Sequence, residues 1–364
     1  MIAIVTTLHQ LLGVGFWDVR MTERHMNRLK YFVTGAAAAT LMMAGTVGQS
    51  FATEPGDFTN YLRGATQGLP LGALPPPGLY AGFGLNATGL GGSAGKGDQA
   101  IAGFATAPAF GYGINFLYVP GWTFLGASYG MGVVQGFYQA ELATPLNPPF
   151  SAQSISPEFA NTNFTPIALS WALGHGWFTS VALTIVAPDA SRWPSNAAFG
   201  AVDLNPDYWT FAPGFAVSYL DASWLLSANF RYDINTAAKG ITMSPFMPAG
   251  AANGYVDGNL LFGELTALYK IGKWSLGPVG YFVAQTTTDR PGGGVACTPA
   301  ICGFQSQVDA GFLIGYDFGP AAVQVWADNT LECKNCIGYG WDVWGRLSFR
   351  LWAPETMKPL VAKN

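Results

Sequence analysis

Hydrophobic and polar residues alternate with a period of two along most of the chain from Gly78 onward, and this period is typical of β-strands. Prolines, glycines, asparagines and serines separate the alternating stretches. The pattern predicts about twelve strands. They cover residues 79–90, 109–119, 122–134, 164–174, 177–187, 207–220, 223–235, 255–271, 274–288, 307–318, 321–331 and 339–352.

The connections between these strands alternate strictly between short turns and longer loops, such as 135–163, 188–206 and 236–254. Bacterial outer-membrane barrels have short periplasmic turns, long outer loops and an even number of strands. The sequence therefore predicts an all-β transmembrane antiparallel up-and-down β-barrel over residues 79–352, with both ends on the periplasmic side. The short turns use residues that permit or fix turn geometry, at Pro120-Gly121, Gly174-His175-Gly176, Asp221-Ala222, Gly272-Lys273 and Gly319-Pro320.

The alternation also assigns a face to each residue of a strand. A charge that faces lipid costs about 2–4 kcal/mol at the middle of the bilayer, so the charged positions are expected inside the barrel. This rule places Arg346 and Arg350 in the lumen, and Leu347, Phe349 and Leu351 towards lipid. It turns Trp224, Leu226, Phe230, Tyr232, Leu261, Leu265 and Tyr269 outward, and Ser227, Asn229, Arg231, Asp233, Glu264 and Thr266 inward.

The composition agrees with a barrel in a membrane. The 364 residues are 50% hydrophobic and only 10% charged, whereas soluble domains carry about 25% charged residues. Beyond residue 50 no apolar run approaches the roughly 18 residues of a spanning helix, so strands are the expected spanning elements and outer-membrane lipid the expected surroundings. A large soluble β-sandwich is the alternative. A net charge of −4 does not indicate a nucleic-acid partner.

The N-terminus indicates export. From Met26 the chain has a basic start with Arg28 and Lys30, then an apolar stretch, then small residues ending at Ala52. This order is typical of a secretory signal peptide, and we expect cleavage after Ala52. Residues 1–25 are then an upstream extension that precedes the true start, so that residues 1–52 are absent from the mature protein. An uncleaved helical anchor is the alternative.

Catalytic motifs are weak in this sequence. Gly91-Gly92-Ser93-Ala94-Gly95 has the G-x-S-x-G spacing of a nucleophile elbow, but that motif needs a strand, a helix and a histidine base around it. Here it falls in an outer loop, and His175, the one histidine after residue 52, falls in a turn at the opposite end. We therefore expect no catalytic residues, no metal site and no cofactor.

Four cysteines form two local pairs in the predicted outer loops, Cys297 with Cys302 and Cys333 with Cys336. An even number of cysteines in an exported protein favours disulfides. Two small disulfides are expected, and a metal site is the alternative.

The lumen is predicted to mix small residues with bulky, charged and amide-bearing ones. Buried charges need partners, and similar heights along neighbouring strands suggest the cross-strand pairs Arg231–Glu264 and Asp328–Arg346. These pairs are expected either to stabilise the barrel or to border a constricted polar path. The predicted lumen-lining residues are Arg231, Asp233, Glu264, Tyr281, Gln285, Trp326, Asp328, Arg346 and Arg350.

A resemblance to a known family rests on several short stretches in order. They are Asn60-Tyr61-Leu62-Arg63-Gly64, Leu74 to Tyr80, Leu125-Gly126-Ala127, Ala187-Pro188, Tyr208-Trp209-Thr210, and Trp274 to Tyr281 with Gln285 and Asp289. Together they resemble the "protein involved in meta-pathway of phenol degradation" family. This resemblance implies an outer-membrane β-barrel transporter, and because the functional residues of the family are not well defined, it assigns no catalytic role to any residue.

The two ends of the predicted barrel carry additional segments. Residues 53–78 hold apolar side chains that need cover, and Pro75 to Pro77 stop any helix there. We expect this segment to enter the lumen as a plug through Asn60, Tyr61 and Arg63, with a disordered periplasmic leader as the alternative. At the other end, a tail of residues 353–364 follows Trp352, whereas barrels commonly finish on an aromatic residue that the barrel assembly machinery recognises.

Three functions follow from these expectations. The first is passive uptake of small hydrophobic or aromatic compounds through a narrow, selective channel in the bacterial outer membrane. The second is an outer-membrane lipid-modifying enzyme, which the position of the lone histidine disfavours. The third is a structural barrel without transport.

Overall fold

The structure is a computed structural model that describes residues 59–89, 92–93, 105–106, 109–139, 141–144, 150–153, 158–190, 206–238, 254–290, 304–334, 336–337 and 340–354. Twelve long strands dominate it. They are β1 (Gly78–Thr88), β2 (Ala109–Val119), β3 (Ala127–Gln139), β4 (Asn163–Gly174), β5 (Trp177–Val186), β6 (Thr210–Leu220), β7 (Trp224–Asn235), β8 (Leu260–Ile271), β9 (Trp274–Gln285), β10 (Ser306–Asp317), β11 (Ala321–Lys334) and β12 (Trp341–Trp352).

Each long strand pairs antiparallel with its neighbours in the chain, and β1 pairs with β12, so the sheet closes on itself. Among the strands that the structure describes, closure leaves no long edge strand exposed. The predicted twelve-strand antiparallel barrel is confirmed. Within the described residues, no helix is long and apolar enough to cross a membrane.

Several short strands lie at the ends of the barrel. Thr123–Phe124 and Glu158–Phe159 both pair with β3. Ala105–Thr106, Glu141–Thr144 and Phe150–Gln153 form a separate three-stranded sheet, and Gly92–Ser93 pairs with Cys336–Ile337. The three-stranded sheet and the pair formed by Gly92–Ser93 and Cys336–Ile337 belong to the long connections, on the side of the barrel opposite the tight turns.

The tight turns are where the sequence predicts them. In the turn Gly174-His175-Gly176 all three residues have positive φ, at 85°, 51° and 83°, which glycine adopts without steric cost. Several boundaries differ, because β6 begins at Thr210 and not at residue 207, β8 begins at Leu260 and not at residue 255, and β3 covers Ala127–Gln139 and not residues 122–134. Leu125 and Gly126 both have positive φ and turn the chain there, so Thr123–Phe124 folds back on the start of β3.

The two faces of the wall differ as the alternation predicts. On β12, Leu347 and Leu351 are exposed on the outer face, whereas Trp344 and Arg346 are buried inside. Aromatic pairs ring the outer face near the tight turns, as expected for the aromatic girdle of a membrane barrel. These pairs are Trp177–Tyr219, Trp224–Tyr269 and Trp274–Tyr316, with ring centroids 4.7–5.1 Å apart.

Candidate functional site

Residues 59–77, the luminal segment, lie inside the barrel. The segment advances in successive tight turns, with backbone hydrogen bonds from Ala65 to Leu62, from Gln67 to Gly64 and from Leu69 to Thr66. Its side chains and backbone contact inward-facing residues on both sides of the barrel. Pro75 to Pro77 then lead directly into β1 at Gly78.

Glu264 on β8 binds the segment most extensively. Its Oε1 accepts hydrogen bonds from the Tyr61 hydroxyl at 2.7 Å and the Gly64 amide at 3.0 Å. Its Oε2 accepts from the amide of Thr66 at 3.1 Å and from the Thr66 hydroxyl. Glu264 is only 3% exposed, and a buried carboxylate needs such donors to offset its lost hydration.

Arg231 does not pair with Glu264, so that predicted ion pair was wrong. Its Nε lies 2.5 Å from Oδ1 of Asp233, two residues further along β7. Its guanidinium also lies 4.6 Å from the centre of the Tyr61 ring, a cation–π contact. The Tyr61 ring packs edge-on against Phe262 at 5.1 Å. The predicted pair fails because the luminal segment supplies the donors that Glu264 needs.

The predicted pair Asp328–Arg346 was also wrong, because the strand register places Arg346 opposite Gln324 and Asp328 opposite Asp342. Arg346 donates to the carbonyl oxygens of Ala65 at 3.1 Å and Gln67 at 2.5 Å, and its Nε donates to Gln324 at 3.1 Å. Asp328 instead accepts from Nε2 of Gln67 at 3.4 Å. The Arg346 guanidinium therefore binds backbone carbonyls of the segment, whereas the sequence predicted that it would bind a carboxylate.

Serines on the opposite wall hold the C-terminal half of the segment. Oγ of Ser218 accepts from the amide of Gly72 at 2.9 Å, and Oγ of Ser170 donates to the Gly72 carbonyl at 2.7 Å. Ser180 donates to the carbonyl of Leu71 at 2.7 Å. Sequence analysis did not select these serines. Their inward positions follow from the period of two, but nothing in the sequence says that a backbone lies opposite them.

Asn60 and Arg63, two of the three residues expected to hold the segment, also contact the wall. Asn60 donates to Thr210 at 2.7 Å and accepts from Asn161 at 2.7 Å. Arg63 donates to Oε1 of Gln307 on β10. Polar contacts therefore fix the segment at its start as well as at its centre.

The remaining predicted lumen residues occupy different heights. Tyr281 donates to Asp342 at 3.0 Å within the lumen, and Trp326 is buried there with the centre of its ring 4.9 Å from the Arg346 guanidinium. Gln285 lies at the outer end of β9 and donates to Asp289 at 2.5 Å. Arg350 differs, because it lies on the inward side at the periplasmic end of β12 and is exposed.

A second polar cluster, the outer carboxyl pair, joins two outer loops through Asp257 and Asp289. The Tyr208 hydroxyl donates to Asp257 at 2.5 Å, and the Gly258 amide donates to Asp289 at 2.7 Å. Both aspartates are at most 3% exposed. Burial raises the pKa of Asp257, and burial together with the charge of Asp257 raises the pKa of Asp289. The pair therefore retains a proton at pH values where an exposed aspartate has lost it.

Cys333 is disulfide-bonded, and the part of the chain that the structure describes holds no free cysteine. The side chains of Cys297, Cys302 and Cys336 lie outside the described residues, so the pairing itself stays a prediction. The predicted signal peptide, most of the Gly91–Gly95 motif and residues 355–364 of the tail also lie outside them. Among the described side chains, no group of three or more His, Cys, Asp or Glu residues is arranged to hold a metal ion.

Comparison with known families decides the assignment. The family model described as "Putative MetA-pathway of phenol degradation" matches residues 94–335, which is most of the chain. The chain belongs to this family. Membership and the barrel fold together confirm the expected location in the bacterial outer membrane. No curated protein matches the chain.

Solved barrels share the architecture at low sequence identity. The COG4313 outer membrane channel from Pseudomonas putida F1 is 11% identical, with a TM-score of 0.61 over 79% of this chain and 99% of that one. The P. putida toluene transporter TodX is 11% identical, with a TM-score of 0.36 over 82% and 96% of the two chains. The NanC porin is 10% identical, with a TM-score of 0.38 over 74% and 100%. Only the first score is high enough to indicate the same fold.

Proposed function

We propose that this member of the family is a passive outer-membrane channel for small aromatic or hydrophobic compounds, and that the luminal segment narrows its pore. The observation that carries the proposal is the segment itself, which occupies the lumen of a barrel of intermediate size. Eight-stranded barrels are filled by side chains, whereas barrels of 16–18 strands enclose an open aqueous channel. Twelve strands with an internal segment support a pore narrower than that of a general porin.

The chemistry of the lumen supports a flat solute with one polar edge. Two indole rings, Trp326 and Trp344, stack at 5.4 Å with an angle of 4° between their planes. They belong to an apolar cluster with Leu268, Val279 and Leu313, and Leu62 and Ala65 of the luminal segment pack against it. Polar groups such as Gln307 and Asp342 flank this cluster. A channel must also release what it binds, so the binding is expected to be weak.

The comparisons support the same proposal. The family description refers to phenol degradation, and the barrel with the shared fold is described as an outer membrane channel. The family is therefore one of channels and transporters, and we propose that this chain has no catalytic activity. An acyl-transfer or hydrolytic site needs a base within hydrogen-bonding reach of its nucleophile. His175 is exposed in a tight turn, which supports this proposal.

The proposal is tested by measuring solute entry into vesicles that contain the purified protein. An outer leaflet of lipopolysaccharide keeps the background entry of aromatic compounds low, and protein-free vesicles provide the correction for it. We expect monocyclic aromatic compounds to enter faster than disaccharides. Equal protein-dependent rates for both solutes would indicate a general pore, and no protein-dependent entry of either would indicate a barrel without transport.

A further inference from the structure

Four buried polar atoms on β11, on β12 and on the luminal segment that faces them have no hydrogen-bond partner among the described residues. They are Nε1 of Trp326, Nε1 of Trp344, Oδ2 of Asp328 and Oε1 of Gln67. All four residues are at most 6% exposed. A buried polar atom without a partner costs about 1–3 kcal/mol, and such atoms are rare in native proteins. Four on one surface therefore call for an explanation.

These atoms lie close together. Trp326 on β11 is directly opposite Trp344 on β12. The next pair on the same face of the two strands, towards the outer end, is Asp328 opposite Asp342. Gln67 reaches this surface from the luminal segment, because its Nε2 donates to the other oxygen of Asp328. Two donors and two acceptors are thus gathered on the β11–β12 wall.

The opposite wall differs in this respect. On β4 to β8, the serines and Glu264 form hydrogen bonds with the backbone of the luminal segment, and none of their side-chain oxygens is left without a partner in the described structure. The segment is therefore bound more completely to that side. Moving the segment away from the β11–β12 wall would break fewer hydrogen bonds than moving it away from β4 to β8. It would also expose polar atoms that form no hydrogen bond in the described structure.

Charge on the β11–β12 wall limits what can bind there. Three carboxyl groups, Asp309, Asp328 and Asp342, are buried on β10, β11 and β12. Two arginines lie near them. Arg346 on the same wall binds carbonyl oxygens of the segment and Gln324, and Arg63 of the segment, which interacts with the charge of Asp342, donates to Gln307. Both guanidinium groups are thus already bound to other acceptors. The aspartates are not arranged to hold a metal ion in the part of the chain described. An anionic group would therefore meet repulsion, whereas a neutral hydrogen-bond donor would not.

We propose that Trp326, Trp344 and Asp328 form a subsite for the neutral hydroxyl group of an aromatic solute, and that this subsite excludes carboxylates. The inference rests on the proposed channel function and specifies its substrate class. The indole N–H groups donate hydrogen bonds to the hydroxyl oxygen, and the hydroxyl group donates a hydrogen bond to Oδ2 of Asp328. The subsite becomes accessible when Ala65 to Gln67 move away from the wall. A carboxylate has no proton to donate and is repelled by the three aspartates.

The test compares phenol with anisole and benzoate as blockers of single-channel current through the purified protein in planar bilayers. Anisole keeps the ring and the acceptor oxygen but cannot donate a hydrogen bond. We expect phenol to block half of the current at a concentration about tenfold lower than anisole, the ratio typical of one hydrogen bond to a charged acceptor. Benzoate is expected to block least.

Two variants test whether the preference for phenol over anisole arises at Trp326 and Asp328. Trp326→Phe removes one donor and keeps a ring, and Asp328→Asn removes one charge. Both are expected to reduce the preference for phenol over anisole to less than about threefold, and Asp328→Asn is also expected to increase block by benzoate. Glu332→Gln is the matched control, because Glu332 is exposed on the same strand. If either variant does not refold, Trp344→Phe replaces it.

The outcomes separate this inference from the proposed function. Block by phenol and anisole with equal strength in the unaltered protein, or an unchanged preference in both variants, would overturn the subsite while leaving an aromatic channel in place. Absence of block by either aromatic compound would contradict the channel function and the subsite with it. A preference for phenol that only the lumen variants lose would support both.

Discussion

The hydroxyl group of Tyr61 donates a hydrogen bond of 2.7 Å to Oε1 of Glu264, a residue 203 positions away in the chain. This bond links the luminal segment to β8 at the centre of the barrel. Three further hydrogen bonds from Gly64 and Thr66 to the same carboxylate accompany it. Glu264 therefore acts as the main attachment point of the segment, and this role leads to a first prediction.

Glu264→Gln should loosen the luminal segment. The amide keeps one acceptor oxygen but loses the charge, and its NH₂ group faces donors from Tyr61 and Thr66. Hydrogen bonds to charged groups contribute about 1.5–3 kcal/mol each, so we expect the free energy of unfolding to fall by about 2 kcal/mol. Thermal unfolding of the purified barrel measures this, and single-channel conductance should rise. Glu332→Gln is the control, and unchanged stability and conductance in Glu264→Gln would contradict the prediction.

Gly72→Ala should displace the C-terminal half of the segment. A Cβ atom at Gly72 would lie 2.6 Å from the amide nitrogen of Ser218 and 2.9 Å from the carbonyl oxygen of Phe178. Both contacts are with backbone atoms, so the segment has to shift. We expect a loss of about 1–3 kcal/mol in stability together with a higher conductance.

Gly84→Ala provides the matched control for this substitution. The nearest atom to a Cβ at Gly84 would be 3.9 Å away, so the methyl group fits the existing space. A conductance that rises equally in both variants would show that the effect does not come from the luminal segment.

Removing residues 53–74 from the mature protein should enlarge the pore. The deletion removes every hydrogen bond that Glu264, Ser218 and Arg346 make with the segment, and it leaves Pro75 to Pro77 to lead into β1 at Gly78. We expect a severalfold rise in single-channel conductance in planar bilayers and loss of the preference for aromatic solutes over disaccharides. Added peptide with the sequence of residues 59–74 should reduce the conductance again. An unchanged conductance would indicate a segment that does not restrict the pore.

The outer carboxyl pair should make stability depend on pH. The folded-state pKa values of Asp257 and Asp289 are raised by burial, so between their unfolded and folded values the native state binds more protons than the unfolded state. Their stabilising contribution is present in acid and is lost as the pH rises through the folded values. We expect the melting temperature to fall between pH 5 and pH 9.

Asp289→Asn isolates this contribution. The amide removes one charge of the pair and keeps an oxygen that accepts from the Gly258 amide. Thermal unfolding of the variant should therefore change less between pH 5 and pH 9 than that of the unaltered protein. Asp221→Asn, at an exposed tight turn, serves as the comparison. Identical pH profiles for Asp289→Asn and the unaltered protein would exclude the pair as the source.

Much of the fold could be predicted because β-structure in a membrane leaves a local record in the sequence. The period of two in β7 and β12 separates lipid-facing Leu347 from lumen-facing Arg346 and Arg231, since a charge in lipid is costly. Glycine and proline mark the tight turns for a similarly local reason. The predicted start of β3 was wrong, because Leu125 adopts a positive φ that its residue type does not predict.

The sequence by itself determined which residues face the lumen, but only the tertiary structure decided what each of them binds. Arg231, Glu264, Asp328 and Arg346 are all buried, yet both predicted ion pairs were wrong. The register of β11 and β12 places Arg346 opposite Gln324 and not opposite Asp328, and the partner of a buried charge is the donor or acceptor that lies nearest in space. For Glu264 and Arg346, the backbone of a segment some 200 to 280 residues distant in the chain supplies those groups, and no local pattern encodes a contact over that separation.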